Sequence, residues 1–177
     1  MHEKVRIKTV TRLVKFIDVD GAVFKELRGG MPLEVAVGRF RRRLSGIKVV
    51  EGNVFLNEGI NFMWSCVVNG SCSPPFDSAN AYIGVGDGAT PEDPTQTGLT
   101  GTNKYYKGMD SGYPQLSGNQ VTFRATFGPN EANFAWNEWT VANGPGDNYT
   151  NINRKQESLG TKAQGTTWVL EVTLIIS

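Results

Sequence analysis

Histidine, cysteine and long apolar runs are the scarce features of this 177-residue chain, and each scarcity excludes a class of function. General acid–base and nucleophilic catalysis most often recruit a histidine, or a carboxylate or lysine with a shifted pKa beside a nucleophile. The one histidine is His2, at the terminus. Carboxylate pairs of the kind glycosidases use are present as Glu92 with Asp93 and as Glu131 with Glu138. The first pair lies between Pro91 and Pro94 in a turn, and the second at a strand entrance and within a strand, where ordinary solvation accounts for both. No enzymatic activity is expected. Two thiols without an internal histidine cannot complete a four-ligand zinc site, so no metal and no cofactor is expected either. Cys66 and Cys72 lie six apart with Gly70 and Pro74 nearby, a spacing open both to a small disulfide loop and to two free thiols with Cys66 as an apolar filler. No apolar run approaches the ~20 residues that span a bilayer. Met1, His2, Glu3 and Lys4 lead into alternating charge rather than an apolar signal core, so neither a membrane partner nor a cleaved export signal is expected.

What is abundant is glycine, with 21 residues, together with Asn, Thr and Ser clusters and short runs of Val, Ile, Thr, Phe, Tyr and Trp. That is the composition of short strands joined by turns. Charge is divided unevenly along the chain. Residues 1–50 carry 12 Lys or Arg against 5 Asp or Glu, a balance of +7, whereas residues 51–177 carry 6 against 12, a balance of −6. Such asymmetry points to a basic N-terminal segment that meets an acidic partner or a nucleic acid.

Val5 to Phe24 reads as strand-like, and Asp20-Gly21 between apolar runs predicts a hairpin, because both residues accept the positive φ of a tight turn. Asp18, Asp20 and Gly21 also match the start of a calcium loop, but the later ligands and the closing Glu are missing. After Gly29-Gly30 and Pro32, Arg39, Arg41, Arg42 and Arg43 cluster around Phe40. This cluster is the candidate docking site for a partner. It is read as a solvated face, as a patch for an acidic protein surface or, least favoured, as a DNA contact. No aromatics interleave it repeatedly, so single-stranded nucleic acid is not an expected partner.

Leu56, Ile60, Met63, Trp64 and Val67 recur at helical steps and predict a helix over residues 53–68 with one apolar stripe facing the core. Asn53 or Asn57 would cap it and Asn69-Gly70 would end it. A strand follows at Ala81 to Val85. Gly84-Val85-Gly86-Asp87-Gly88 has the look of a phosphate cradle, yet it lacks the third glycine spacing, the Gly-Lys-Ser/Thr and the following helix that nucleotide binding needs. Val121, Phe123, Ala125 and Phe127 alternate with Thr122, Arg124 and Thr126 as in a half-buried strand. The three-residue spacing of Trp136 and Trp139 requires either a bulge or rings on opposite faces. The last strand, from Thr166, aligns Trp168, Leu170, Val172, Leu174 and Ile176 on one face, which places it in a sheet interior or against a neighbouring subunit.

The order of these segments carries a resemblance. Asn57-Glu58-Gly59-Ile60-Asn61, then Tyr82 through Gly88 with Ala89-Thr90-Pro91, then Asp93 to Leu99, open it. Gly118 to Phe123, Ala125 to Phe127, Glu131 to Asn133, Trp136 to Trp139, Asn153 to Lys155 and Ser158 to Lys162 continue it into the closing Trp168 strand. Over residues 53–177 the chain resembles a widespread set of small tailed-bacteriophage virion structural proteins, whose members are structural, tail or fibre-associated components. The resemblance implies a virion location and a mainly β fold.

The expected architecture is a β-sandwich or jelly-roll-like domain with one α-helix at residues 51–177, preceded by a basic hairpin arm at residues 1–50. The expected function is a capsid decoration or cement protein, present in many copies as a homo-oligomer, whose arm docks on the major capsid protein. The alternatives are a tail, baseplate or fibre-attachment component bound to tail proteins, and a carbohydrate-binding module that uses Tyr105, Tyr106, Trp136 or Trp139 as stacking platforms.

Overall fold

A computed structural model describes residues 7–177, so His2 and the expected strand start at Val5 lie outside the described residues. The chain is mainly β, as composition implies. Its order is β1 (Ile7–Ile17), α1 (Ala22–Arg28), α2 (Leu33–Arg39), a 3-10 turn (Arg41–Arg43), β2 (Leu44–Glu51), β3 (Val54–Phe55) and α3 (Asn57–Asn69). There follow β4 (Tyr82–Gly86), β5 (Lys104–Gly108), β6 (Gln115–Ser117), β7 (Gln120–Phe127), β8 (Ala135–Ala142), β9 (Asn153–Thr161) and β10 (Thr166–Ile176). Ten strands form two five-stranded antiparallel sheets, ordered β2-β1-β10-β7-β6 and β3-β9-β8-β4-β5.

One hydrophobic core joins the sheets in a sandwich-like arrangement. Leu13, Phe123, Phe127, Trp168 and Leu170 of the first sheet share it with Ile83, Val85, Trp136, Trp139 and Val141 of the second. Burial of each such side chain contributes about 1.5–3 kcal/mol before entropy is counted. The Trp136 ring packs edge-on against both Phe127 and Trp168, at centroid distances of 4.7 and 4.8 Å. A register shift in the β8–β9 pairing between Trp136 and Glu138 resolves the tryptophan spacing: a bulge lets both rings reach the core, where both are fully buried.

The expected N-terminal hairpin at Asp20-Gly21 is not formed, and the expected arm is not detached. β1 is a single strand lying between β2 and β10, paired with β10 from Ile7↔Ile176 to Ile17↔Thr166. The Asp-Gly pair instead starts a helix. Gly21 uses its positive φ of 69° to turn into α1, and the buried Asp18 carboxylate accepts the amides of Val23 and Phe24, both at 2.9 Å. A carboxylate that satisfies first-turn N–H groups competes successfully with a two-residue turn. The same carboxylate accepts from Thr167 Oγ1 at 2.8 Å, which ties the helix start to β10. Val23 and Leu27 of α1 and Leu33 and Ala36 of α2 then bury against Val14, Phe16 and Val169, closing a second core on the outer face of the first sheet.

α3 matches the expected helix at its C-terminal end, where Gly70 stops it at φ 64°. Its start is Leu56 rather than an asparagine cap, and its apolar residues are not all core. Leu56 is buried, but Trp64 and Val67 are 62% and 77% exposed. The helix approaches the body through Gly59, where a Cβ would lie 2.5 Å from Ile152 Cα. Such backbone proximity leaves room for one narrow contact strip only, so the rest of the apolar circumference faces outward. Cys66 and Cys72 are joined as a disulfide behind its last turn, with Cα atoms 4.8 Å apart.

Candidate functional site

The arginine cluster occupies the end of α2 and the 3-10 turn, next to the outer core. It is not a uniform patch. Arg43 turns back to the aspartates that start α1, pairing with Asp20 through both nitrogens of its fork and approaching Asp18 at 3.4 Å. The hydrogen bonds from Arg43 hold the Asp20 carboxyl well below the usual carboxylate range. Arg39 reaches Glu26 at 3.6 Å and lies over the Phe40 ring. Arg41 and Arg42 are exposed, and among the described residues neither side chain makes a hydrogen bond or ion pair. Of the four arginines, Arg41 and Arg42 carry charge unpaired among the described residues, Arg39 is exposed with one surface ion pair, and Arg43 is tied into the start of α1.

The aromatic platforms are likewise redistributed. Trp136 and Trp139 are inside the sandwich, and their indole N–H groups donate to Ala132 O at 2.9 Å and Thr11 Oγ1 at 3.1 Å. Neither can present a face to a glycan in this fold. Tyr105 and Tyr106 are half-buried on β5, with hydroxyls bonded to Glu131 and Asp147. Burial, then the hydrogen bond to Asp147, pushes the Tyr106 hydroxyl far above its ordinary range.

The densest polar site is one that sequence reasoning missed. Gly88 of the glycine-rich turn after β4 joins the Thr100-Gly101 loop in cradling an anion, and that anion is the chain's own Glu138. Its carboxylate accepts the amides of Gly88 at 3.2 Å, Thr100 at 3.0 Å and Gly101 at 2.7 Å, and the Thr100 hydroxyl at 3.2 Å. Arg154 of β9 adds Nε at 2.8 Å and Nη2 at 2.6 Å. Glu138 and Arg154 are both fully buried. The remaining Arg154 donors go to Gln96 Oε1, Thr90 O and Thr100 Oγ1. The glycines are required by the cradle: a Cβ on Gly86 would meet Glu138 Oε1 at 2.6 Å. From sequence the Gly-x-Gly-x-Gly stretch is set aside as a nucleotide loop, and an internal anion is not considered because Glu138 lies 50 residues away in sequence from Gly88.

The Tyr82–Pro91 turn, the Trp136–Trp139 strand and Asn153–Lys155 thus meet at one ion pair. Every oxygen of Glu138 is engaged, so the site braces three loops and strands and offers no open carboxylate for chemistry.

Of the other carboxylates considered, Glu92 approaches Lys155 at 3.3 Å. Asp93 accepts the Thr95 amide within its own turn. Glu131 bonds Lys107 Nζ at 2.5 Å and the Gly128 amide at 2.7 Å. Burial pushes the Glu131 carboxyl up, but these bonds outweigh it and the net shift is downward. Lys162 is buried nearby, donating to Gly128 O at 2.7 Å and Asn133 Oδ1 at 3.0 Å, and burial lowers its pKa to about 8. Asp110 is the hub of another internal network, accepting from Arg124 Nε at 3.0 Å and Thr126 Oγ1 at 2.6 Å. The outer face of β7, expected to be solvated, is covered there. Among the described residues no group of three or more His, Cys, Asp or Glu is placed to hold a metal ion, and no helix is long and apolar enough to cross a membrane. No protein-family model, no curated protein and no solved structure matches this chain.

Proposed function

We propose that the chain is a non-catalytic structural protein of a tailed-bacteriophage particle, seated in many copies on the head as a decoration or cement protein. The observation that carries the reading is the convergence at Glu138 and Arg154. Four of the segments that carry the resemblance, those holding Gly88 and Thr90, Gln96, Glu138 and Arg154, contribute to this buried brace, which supports a scaffold rather than a reaction centre. In this reading the two-sheet body is the sandwich or jelly-roll-like domain of those proteins.

Docking on the lattice of major capsid protein is assigned to Arg41 and Arg42, whose charges are not spent internally, facing an acidic surface. A protein that binds the assembled shell and not its separate subunits stabilises the shell by mass action. The test is microscopy of intact particles combined with deletion of the gene. Density for this fold on the head, and loss of heat resistance in particles lacking it, is the expected result. Density confined to the tail or baseplate would replace decoration by the tail-attachment reading, and absence from purified particles would overturn virion membership.

A further inference from the structure

Helix α3 has one charged residue, Glu58, in its first turn, and no basic residue in its last. Gly59 and Met63 face the body, while Trp64, Val67 and Val68 stand 62%, 77% and 72% exposed. A helix that is apolar around most of its circumference belongs in an interior. Beside it runs an open hollow of about 700 Å³, walled by Phe62 and Met63 of α3, Phe76 of the following loop, Val121 of β7 and the end of β10. Among the described residues, none that lines this hollow is charged, in a chain where a fifth of residues are. On its rim Leu116, at the β6–β7 hairpin, is 85% exposed, and Ile7 and Ile176 lie side by side across the β1–β10 pair.

We infer that this face is the interface between copies of this chain. Trp64 and Val68 stand exposed on the helix whose Val67 lines the hollow, with exposed Leu116, Ile7 and Ile176 also on that lining, and apolar side chains gathered in this way mark an interaction surface, unlike singly scattered ones. With no charge on the described lining residues, none of them would select a charged partner and none would repel a second copy. Leu116 projects beside a hollow of matching chemistry on the same face, and a knob next to its own hole is what a two-fold axis makes self-complementary. The inference deepens the many-copy reading above, but it is tested on the isolated protein and stands or falls independently of where the protein resides.

Sedimentation velocity of the full chain up to about 100 µM, at low salt and in about 1 M NaCl, reads it directly. The expected result is reversible self-association that persists in high salt. Leu116→Glu and Trp64→Glu, both at exposed positions, are expected to weaken it at least about tenfold each while leaving the circular-dichroism melt nearly unchanged. A monomer throughout the concentration range would overturn the inference. So would association abolished by salt, which points to Arg41 and Arg42 instead, or association indifferent to both substitutions.

Discussion

Glu138 shows how a single residue is fixed by all its neighbours at once. Its two oxygens face only donors: three backbone amides, one hydroxyl and the Arg154 fork. Glu138→Gln keeps the shape but must point an NH₂ group at some of those donors, and it leaves Arg154 buried without a counter-charge. Removing one partner of a buried pair costs about 3–5 kcal/mol. For a chain of this size that lowers Tm by roughly 10 °C. Calorimetry should show this loss, and a Glu138→Met, Arg154→Met double variant should lose less than the two single variants summed. Lys162 gives a pH-dependent counterpart. Its folded pKa of about 8 lies below the unfolded value of 10.5, so the folded state releases its proton first. Below pH 8 the full penalty of burying the charge is carried. Between 8 and 10.5 the unfolded chain holds more protons, and stability rises with pH. The Tm of the wild type relative to Lys162→Met should therefore climb between about pH 8 and about pH 10.5. The upward-shifted Tyr105, Tyr106 and Tyr113 oppose this only at still higher pH.

At the scale of elements, α3 is held through one tight strip. Alanine outranks glycine by about 1 kcal/mol in a helix interior. A Cβ at residue 59 would nevertheless fall 2.5 Å from Ile152 Cα and 2.8 Å from Ile152 O, backbone atoms that cannot swing aside. Gly59→Ala should therefore destabilise by about 1–3 kcal/mol in chemical denaturation, and a gain in stability would mean that the helix floats free of the body. The Cys66–Cys72 bridge closes a loop of sequence separation 6, for which chain entropy predicts about 2 kcal/mol of stabilisation, lost on reduction and read as a lowered melt in reductant. These elements also mark where sequence reasoning succeeded. Local periodicity located α3, its Gly70 stop, the β7 alternation and the interior position of β10. It failed where the deciding partner was remote. Asp20-Gly21 forms a helix start because of Asp18 and Thr167, and the outer face of β7 is dry because Asp110 folds over Arg124 and Thr126. The glycine turn holds Glu138 from another strand. Apart from the Asp18 bonds to Val23 and Phe24, five and six residues away, none of those contacts is visible in a window of ten residues. One signal was local and overlooked: Val23 and Leu27, four apart, mark the helix that the hairpin reading passed over.

For the whole molecule, the decisive fact is that the chain's two ends pair in the middle of one sheet. β1 is matched to β10 over eleven residues and to β2 on its other side, and Leu13 sits in the central core while Val14 and Phe16 sit in the outer one. A basic arm that only docks the protein would leave residues 51–177 able to fold alone. Insertion of β1 gives the opposite expectation. Without residues 1–50, β10 would lose its ladder along one full edge, and its inward side chains would lose Leu13 and Val50. Val169 would lose α1 and α2 on the other face. An exposed, long, apolar edge strand aggregates rather than persists. A fragment of residues 51–177 should therefore be insoluble or lack a cooperative melt, whereas mixing it with a separately produced 1–50 peptide should restore the transition. A fragment that melts cooperatively on its own, at a Tm near that of the full chain, would show that the +7 segment is an appendage after all, and would return the docking role from Arg41 and Arg42 alone to the whole basic segment.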